Sequence, residues 1–336
     1  MPYSNKKGSY DPAQGRARPA PTGEGEEVPQ VGEAAGRVLG VDVNPQLPPG
    51  LCERGRLIYG GTPPSGAVPC SRTSPLTDAE VAEVVSIIAR GRTQRRAAHL
   101  PERLWTRDWQ SVERVVLALD DRLGRDGAGW KVGGASEEIR SAERVPSPSP
   151  GRMYRDTLFS SGAGLPPELF INYRNCECEF AFELGLDFPS RPIPYTDTDA
   201  RRGIESVMPV LELGDTVFLD WYGASAYFGS SLDNGGGAAL VCGTKVHDWR
   251  DIDMPAARMD LYLNGLYIKS GHGRAAMGDP VTSLAWMLNW ASRHGRGVTA
   301  GEIVSTGTCT GHLFAARGDT VRADFGVLGE VQAEFL

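Results

Sequence analysis

The chain has 336 residues, 40% of them apolar and 23% charged, which is ordinary globular composition at a length able to bury one large core or two smaller ones. A net charge of −7 and an isoelectric point near 5.4 exclude a basic nucleic-acid surface. No apolar run approaches the roughly 20 residues that cross a bilayer, and Lys6 and Lys7 are not followed by the apolar core of a secretory signal.

The six cysteines lack the dense spacing of a disulfide framework, so a reducing cytoplasm is expected, with Cys52–Cys70 the one conceivable bridge. Residues 1–36 are rich in Gly, Pro, Glu and Ala and read as a disordered arm; 37–75 read as an irregular extension with short apolar patches. A helical part is expected over 76–128. Thr77-Asp78-Ala79-Glu80 fits a capping box, Val81, Val84, Val85 and Ile88 follow helical spacing, and Gly91 is expected to end the helix. The basic cluster Arg92, Arg95 and Arg96 reads as a solvated helix end. A second helix is predicted from about Trp109 to Leu123, with Val112, Val115, Val116 and Leu119 on one face.

From 129 to 336 the pattern is that of a β-rich domain, with a short strand at Trp130-Lys131-Val132 and most strands after Phe170. Asn264-Gly265 between two alternating runs is a hairpin signal. A helix is predicted over Pro280 to His294, with Pro at its start and Gly295 just past its end. Val321, Ala323, Phe325, Val331, Ala333 and Phe335 restore alternation. Helices followed by a larger β part indicate the α+β class.

Chemistry concentrates at Cys176-Glu177-Cys178-Glu179. On a strand Glu177 and Glu179 share one face and the two cysteines the other. Glu212 lies in a second apolar run, Val207 to Leu213. Like charges in apolar sequence repel and lose hydration unless a cation joins them, so the trio is either a site for Mg²⁺ or Mn²⁺ or three ordinary glutamates on a half-exposed sheet. A zinc site at the cysteines lacks further ligands. Lys131, between Trp130 and a run of glycines, is either an exposed strand-edge lysine or a desolvated one with a lowered pKa. The glycine clusters at 271–278 and 233–237 fit neither a dinucleotide fingerprint nor a phosphate loop and read as tight packing or turns. No histidine stands in a nucleophile triad; His312 reads as a pocket or surface-loop residue.

Together these segments resemble the fumarylacetoacetate hydrolase superfamily, in its 2-hydroxypentadienoate hydratase and 4-oxalocrotonate decarboxylase branch. The matching pieces run in order from Gly129-Trp130-Lys131-Val132-Gly133, through Glu177-x-Glu179-x-Ala181-Phe182, to Met208-Pro209-Val210-Leu211-Glu212. Asp233-Asn234, Asn264-Gly265, Gly278-Asp279-Pro280 and Leu328-Gly329-x-Val331 follow. The resemblance spans about Leu76 to Phe335 and implies a curled, mostly antiparallel β-fold preceded by helices.

It further implies Glu177, Glu179 and Glu212 as ligands of Mg²⁺ or Mn²⁺, Lys131 as the active-site lysine, and Thr306, Gly307, Thr308 and Asp233 around a small 2-oxo acid. A soluble homo-oligomer is expected, with no nucleic-acid or membrane partner. One departure stands out: the acidic proton carrier of the hydratases is replaced by Ser149, whose hydroxyl does not titrate near neutrality. Glu137, Glu138, Glu143 or water would have to serve instead. The expected activity is a metal-dependent lyase on a 2-oxo or 2-hydroxy-enoate, with hydration leading. Decarboxylation, C–C hydrolysis and a non-catalytic binding role stand as the alternatives.

Overall fold

The computed structural model describes residues 72–137, 140–141, 145–219 and 226–336, with the backbone of Asp42 and Val43. The expected N-terminal arm, nearly all of the extension, the Cys52–Cys70 pair, Glu138 and Glu143 lie outside the described residues.

Helix α1 (Asp78–Gln94) begins at the expected capping box: Thr77 Oγ1 accepts from the Glu80 N–H at 3.3 Å, and the Glu80 carboxylate accepts from the Thr77 N–H at 2.8 Å. It does not stop at Gly91. The helix runs to Gln94 and ends at Arg95 in the left-handed region, while Gly91 serves close packing, since a Cβ there would lie 3.0 Å from the Val217 side chain. Nor is Arg92 a solvated end; it pairs with the buried Asp233 at 2.9 Å. Helix α2 (Trp109–Leu123) is capped by Asp108 and packs Val112, Val115 and Leu119 against Val81, Val84, Val85 and Ile88 of α1.

The strands are β1 (Asp42–Val43), β2 (Gly127–Gly133), β3 (Ser149–Tyr154), β4 (Leu158–Ser160), β5 (Ala163–Leu165), β6 (Asn175–Leu184) and β7 (Ile204–Gly214). They continue with β8 (Gly237–Cys242), β9 (Arg258–Leu263), β10 (Leu266–His272), β11 (Ile303–Ser305), β12 (Leu313–Phe314), β13 (Thr320–Asp324) and β14 (Glu330–Phe335). Helices α3 (Asp197–Arg202), α4 (Ala226–Leu232) and α5 (Pro280–Arg293) interrupt them. One sheet has the order β1-β10-β9-β13-β14-β5; the other runs β3-β2-β11-β6-β7-β8-β4, with β12 also on β6. Most pairs are antiparallel, as expected, with parallel pairs at β2–β11, β4–β8 and β5–β14. The β part begins at Gly127, close to the expected 129, and β3, β4 and β5 add strands before Phe170. Strand β3, Ser149-Pro150-Gly151, carries weak strand signals and is tolerated because it is a sheet edge.

The main core lies between the sheets and under α5. There Cys176, Cys178, Phe180 and Phe182 meet Leu261, Val321 and Val331 of the opposite sheet and Leu284, Met287 and Trp290 of the helix. The second sheet curls. The Asn234 side chain clamps the β3 backbone, accepting from the Arg152 N–H at 2.6 Å and donating to the Arg152 carbonyl at 2.8 Å. Inside the curl, Met153, Ala181, Met208, Val210, Leu240 and Ile303 form a separate apolar cluster. The candidate site caps that cluster at one end.

Candidate active site

Strands β6 and β7 pair with Glu177 opposite Glu212 and Glu179 opposite Val210. Alternation then sends all three carboxyls to the inner face of the curl and buries Cys176 and Cys178 on the other, as expected. Lys131 joins them from β2, where it lies opposite Gly151 of β3 and Ser305 of β11.

The contacts are specific. The Lys131 ammonium sits 2.8 Å from Glu212 Oε1 and donates to the Gly235 carbonyl. Glu179, 1% exposed, accepts from Ser305 Oγ at 2.5 Å and from the Gly307 N–H at 2.9 Å. Glu177 accepts from the Asn175 amide at 2.6 Å and lies 3.0 Å from His312 Nδ1. Beside Lys131 and Glu212 is a small cavity of about 30 Å³ that reaches Asn234, Met153 and Leu240 along the β3–β8 seam. That is room for a water or two.

Electrostatics follow from burial and charge count. Burial pushes the Glu179 carboxyl well above the ordinary carboxylate range, and the neighbouring Glu212 and Glu177 push it further. Burial also pushes on Glu177, but His312, Lys131 and the Asn175 amide outweigh it and hold that carboxyl at about 2. For Lys131 burial lowers the pKa, yet Glu212, backed by Glu177 and Glu179, more than reverses it. The lysine is therefore neither the exposed edge residue nor the lowered-pKa base that its sequence context allows. It is a buried cation at neutral pH.

The other expected site residues separate into those near the cluster and those committed elsewhere. Ser149 is buried beside Lys131: a Cβ on Gly133 would lie 2.6 Å from Ser149 Oγ and 3.5 Å from Lys131 Nζ. Gly307 holds Glu179 through its N–H and needs its lack of a side chain, because φ is +99° and a Cβ would meet that of Ala135 at 2.5 Å. Thr308 Oγ1 is buried without a hydrogen-bond partner within the protein.

Thr306 differs. Its hydroxyl donates to the Phe180 carbonyl at 3.0 Å, so it anchors the loop to β6. Asp233 departs from expectation too: its oxygens accept from Thr216 Oγ1, the Val217 N–H and Arg92, and it braces α1 against the 233–237 turn. Glu137, one of the expected stand-ins for the missing acid, is exposed.

Sequence reasoning missed Ser305, Asn175 and Lys269, and left His312 as either a pocket or a surface-loop residue. Ser305, Asn175 and His312 touch the carboxyls directly, and Lys269 donates to the His312 carbonyl at 2.6 Å. Only alternation could have flagged Asn175, two residues before Glu177 on the same strand face. The others arrive by pairing between distant strands.

The donor set suits a hard divalent cation: oxygen ligands, with three carboxyls against one ammonium leaving the cluster short of positive charge. Among the described residues no three His, Cys, Asp or Glu side chains are drawn together as a finished metal site. The reason is local: Glu212 is turned to Lys131 and Glu177 to Asn175 and His312, while the strand register already aligns the backbones.

The family model of the fumarylacetoacetate (FAA) hydrolase C-terminal domain matches residues 155–336. The chain belongs to the fumarylacetoacetate hydrolase family. It is 26% identical over 233 residues to 2-oxo-hept-4-ene-1,7-dioate hydratase of Escherichia coli, covering 68% of this chain and 86% of that protein. It is 27% identical over 263 residues to 2-keto-4-pentenoate hydratase 1 of Dechloromonas aromatica, covering 77% and 97% respectively. In structure it resembles 4-oxalocrotonate decarboxylase from Pseudomonas putida G7 complexed with magnesium and adipate. The TM-score is 0.69 at 20% identity, over 79% of this chain and all of that one.

Proposed function

We propose that this family member is a divalent-metal-dependent lyase that hydrates a small 2-hydroxydienoate or 2-oxo-enoate. The observation that carries the reading is the buried cluster of Glu177, Glu179, Glu212 and Lys131 on the inner face of one curled sheet. Its support is the hydratase relatives and the magnesium named with the similarly folded decarboxylase.

Glu177, Glu179 and Glu212 would hold the ion. Bound there, a divalent cation supplies Lewis acidity to the carboxylate and 2-oxo oxygens of a chelating substrate. The chain's own groups do the rest. Lys131, kept cationic by Glu212, offsets negative charge that builds on the substrate as its 2-hydroxyl loses a proton and the far end of the diene gains one. Thr308 Oγ1 offers a hydrogen bond to a substrate oxygen. Ser149 Oγ can position a water or relay its proton, but it cannot hold the proton itself, so the acid role passes to water in the cavity beside Lys131.

The test is product analysis on 2-hydroxypenta-2,4-dienoate with Mg²⁺ and with chelator. Formation of the 4-hydroxy-2-oxo acid, abolished by chelator and in Glu179→Gln, is expected. Turnover that survives chelation sinks the metal reading. Release of CO₂ from a 2-oxo-enedioate without hydration would move the assignment to a decarboxylase.

A further inference from the structure

We propose that His312 is a further ligand of the metal site. Its imidazole nitrogen would join an otherwise all-oxygen donor set and tilt the site toward Mn²⁺ over Mg²⁺. The inference rests on the metal-dependent reading above and adds a ligand that this reading does not contain.

The placement comes from the backbone. Strand β12 pairs with β6 so that Leu313 faces Cys176 and Phe314 faces Asn175. Continuing that antiparallel register by one residue sets His312 opposite Glu177, at the end of the sheet where the carboxyls gather. Nδ1 of His312 lies 3.0 Å from Glu177 Oε1. Two neighbouring ligands each about 2.1 Å from an octahedral ion lie about 3.0 Å from one another, so the pair already has the spacing of two donors to one ion.

The ring is held by two contacts that leave its nitrogens unused: Phe314 stacks on the imidazole at 25° and 6.2 Å between centroids, and Lys269 Nζ donates to the His312 carbonyl at 2.6 Å. Such support from outside the ligand set orients a metal-binding imidazole. The Asn175 amide nitrogen, 2.8 Å from Nδ1, holds the lone pair that would face the ion and would have to release it on metal binding. Imidazole nitrogen suits transition ions, whereas Mg²⁺ prefers oxygen and keeps its waters.

The experiment loads full-length protein with Mn²⁺ or Mg²⁺ and measures binding by calorimetry, with electron spin-echo envelope modulation on the Mn²⁺ form. We expect ¹⁴N modulation from a coordinated imidazole in the wild type and its loss in His312→Ala. Mn²⁺ affinity should fall about 10–100-fold in that variant while Mg²⁺ affinity changes less than about threefold. His312→Gln, which keeps a polar side chain of similar reach, should lose the ¹⁴N signal as well. The spectrum of the wild type is independent of any variant's folding.

Absence of ¹⁴N coupling in the Mn²⁺-loaded wild type overturns the inference. So does an equal fall for both ions, which would mark His312 as a hydrogen-bond partner of Glu177 alone. Those outcomes leave the metal-dependent reading intact. If the wild type binds neither ion, or Glu179→Gln binds both as tightly, that reading fails and the inference falls with it.

Discussion

Replacing Lys131 by methionine keeps the length of the side chain and removes its charge, leaving Glu212, Glu179 and Glu177 with no ammonium among them. At an effective dielectric of about 20, unit charges 2.8 Å apart attract by about 6 kcal/mol, and desolvation of the two ions takes back most of that. The intact pair is therefore worth little net, but stranding the carboxylates should cost about 3–5 kcal/mol, a large part of the 5–15 kcal/mol of a typical domain.

Urea unfolding of the wild type, Lys131→Met, Glu212→Gln and the double variant, in chelator at neutral pH, reads this directly. The double variant should be less destabilised than the sum of the singles by at least about 1 kcal/mol. The pH dependence has a definite sign. Burial, Glu212 and Glu177 already raise the Glu179 carboxyl, so without the lysine the folded state binds more protons than the unfolded chain above pH 4.5. Stability of Lys131→Met then falls as pH rises through that window, and acidification toward pH 5 recovers part of the deficit. Added Mg²⁺ should recover part of it at neutral pH. A loss under about 1 kcal/mol at neutral pH, or strict additivity in the cycle, refutes the picture of a buried, charge-balanced cluster.

Three further outcomes are expected. Gly307→Ala forces a Cβ into Ala135 at a positive φ and should destabilise by at least about 2 kcal/mol in thermal unfolding, with activity lost because Glu179 loses its N–H donor. Thr308→Val should leave stability within about 0.5 kcal/mol, since the hydroxyl has no partner, yet raise KM up to about tenfold in steady-state kinetics if that hydroxyl meets substrate. Lys269, pushed down by burial to about 8 from 10.5, is deprotonated in the fold while still protonated in the unfolded chain over that interval. Stability should therefore rise from pH 8 to 10.5 by about 3 kcal/mol in denaturant titrations, and Lys269→Met should flatten that slope.

The elements that sequence reading located well are those whose signals are local. The capping box at Thr77, the Asn264-Gly265 hairpin and the Pro280 helix each depend on residues a few positions apart, and each appears where expected. Strand β3 escaped because Pro and Gly hide an edge strand. The end of α1 was misplaced because Gly91 answers to Val217, more than a hundred residues away, rather than to its own helix. Asp233 reads as a site residue beside Asn234, and only its bonds to Arg92, Thr216 and Val217 show that both its oxygens are already engaged.

The sequence alone determines that Glu177 and Glu179 share a face and that their cysteine neighbours take the other, because alternation is a property of any extended strand. It also contains the ordered motifs that identify the family. The tertiary structure decides the charge state and company of those groups. Pairing β6 with β7 sets Glu212 opposite Glu177, curling the sheet brings Lys131 to Glu212, and β12 delivers His312. Whether a lysine in apolar sequence is lowered by burial or raised by a partner turns on a carboxylate 2.8 Å away, and that distance is set by strand register across the sheet rather than by neighbours along the chain.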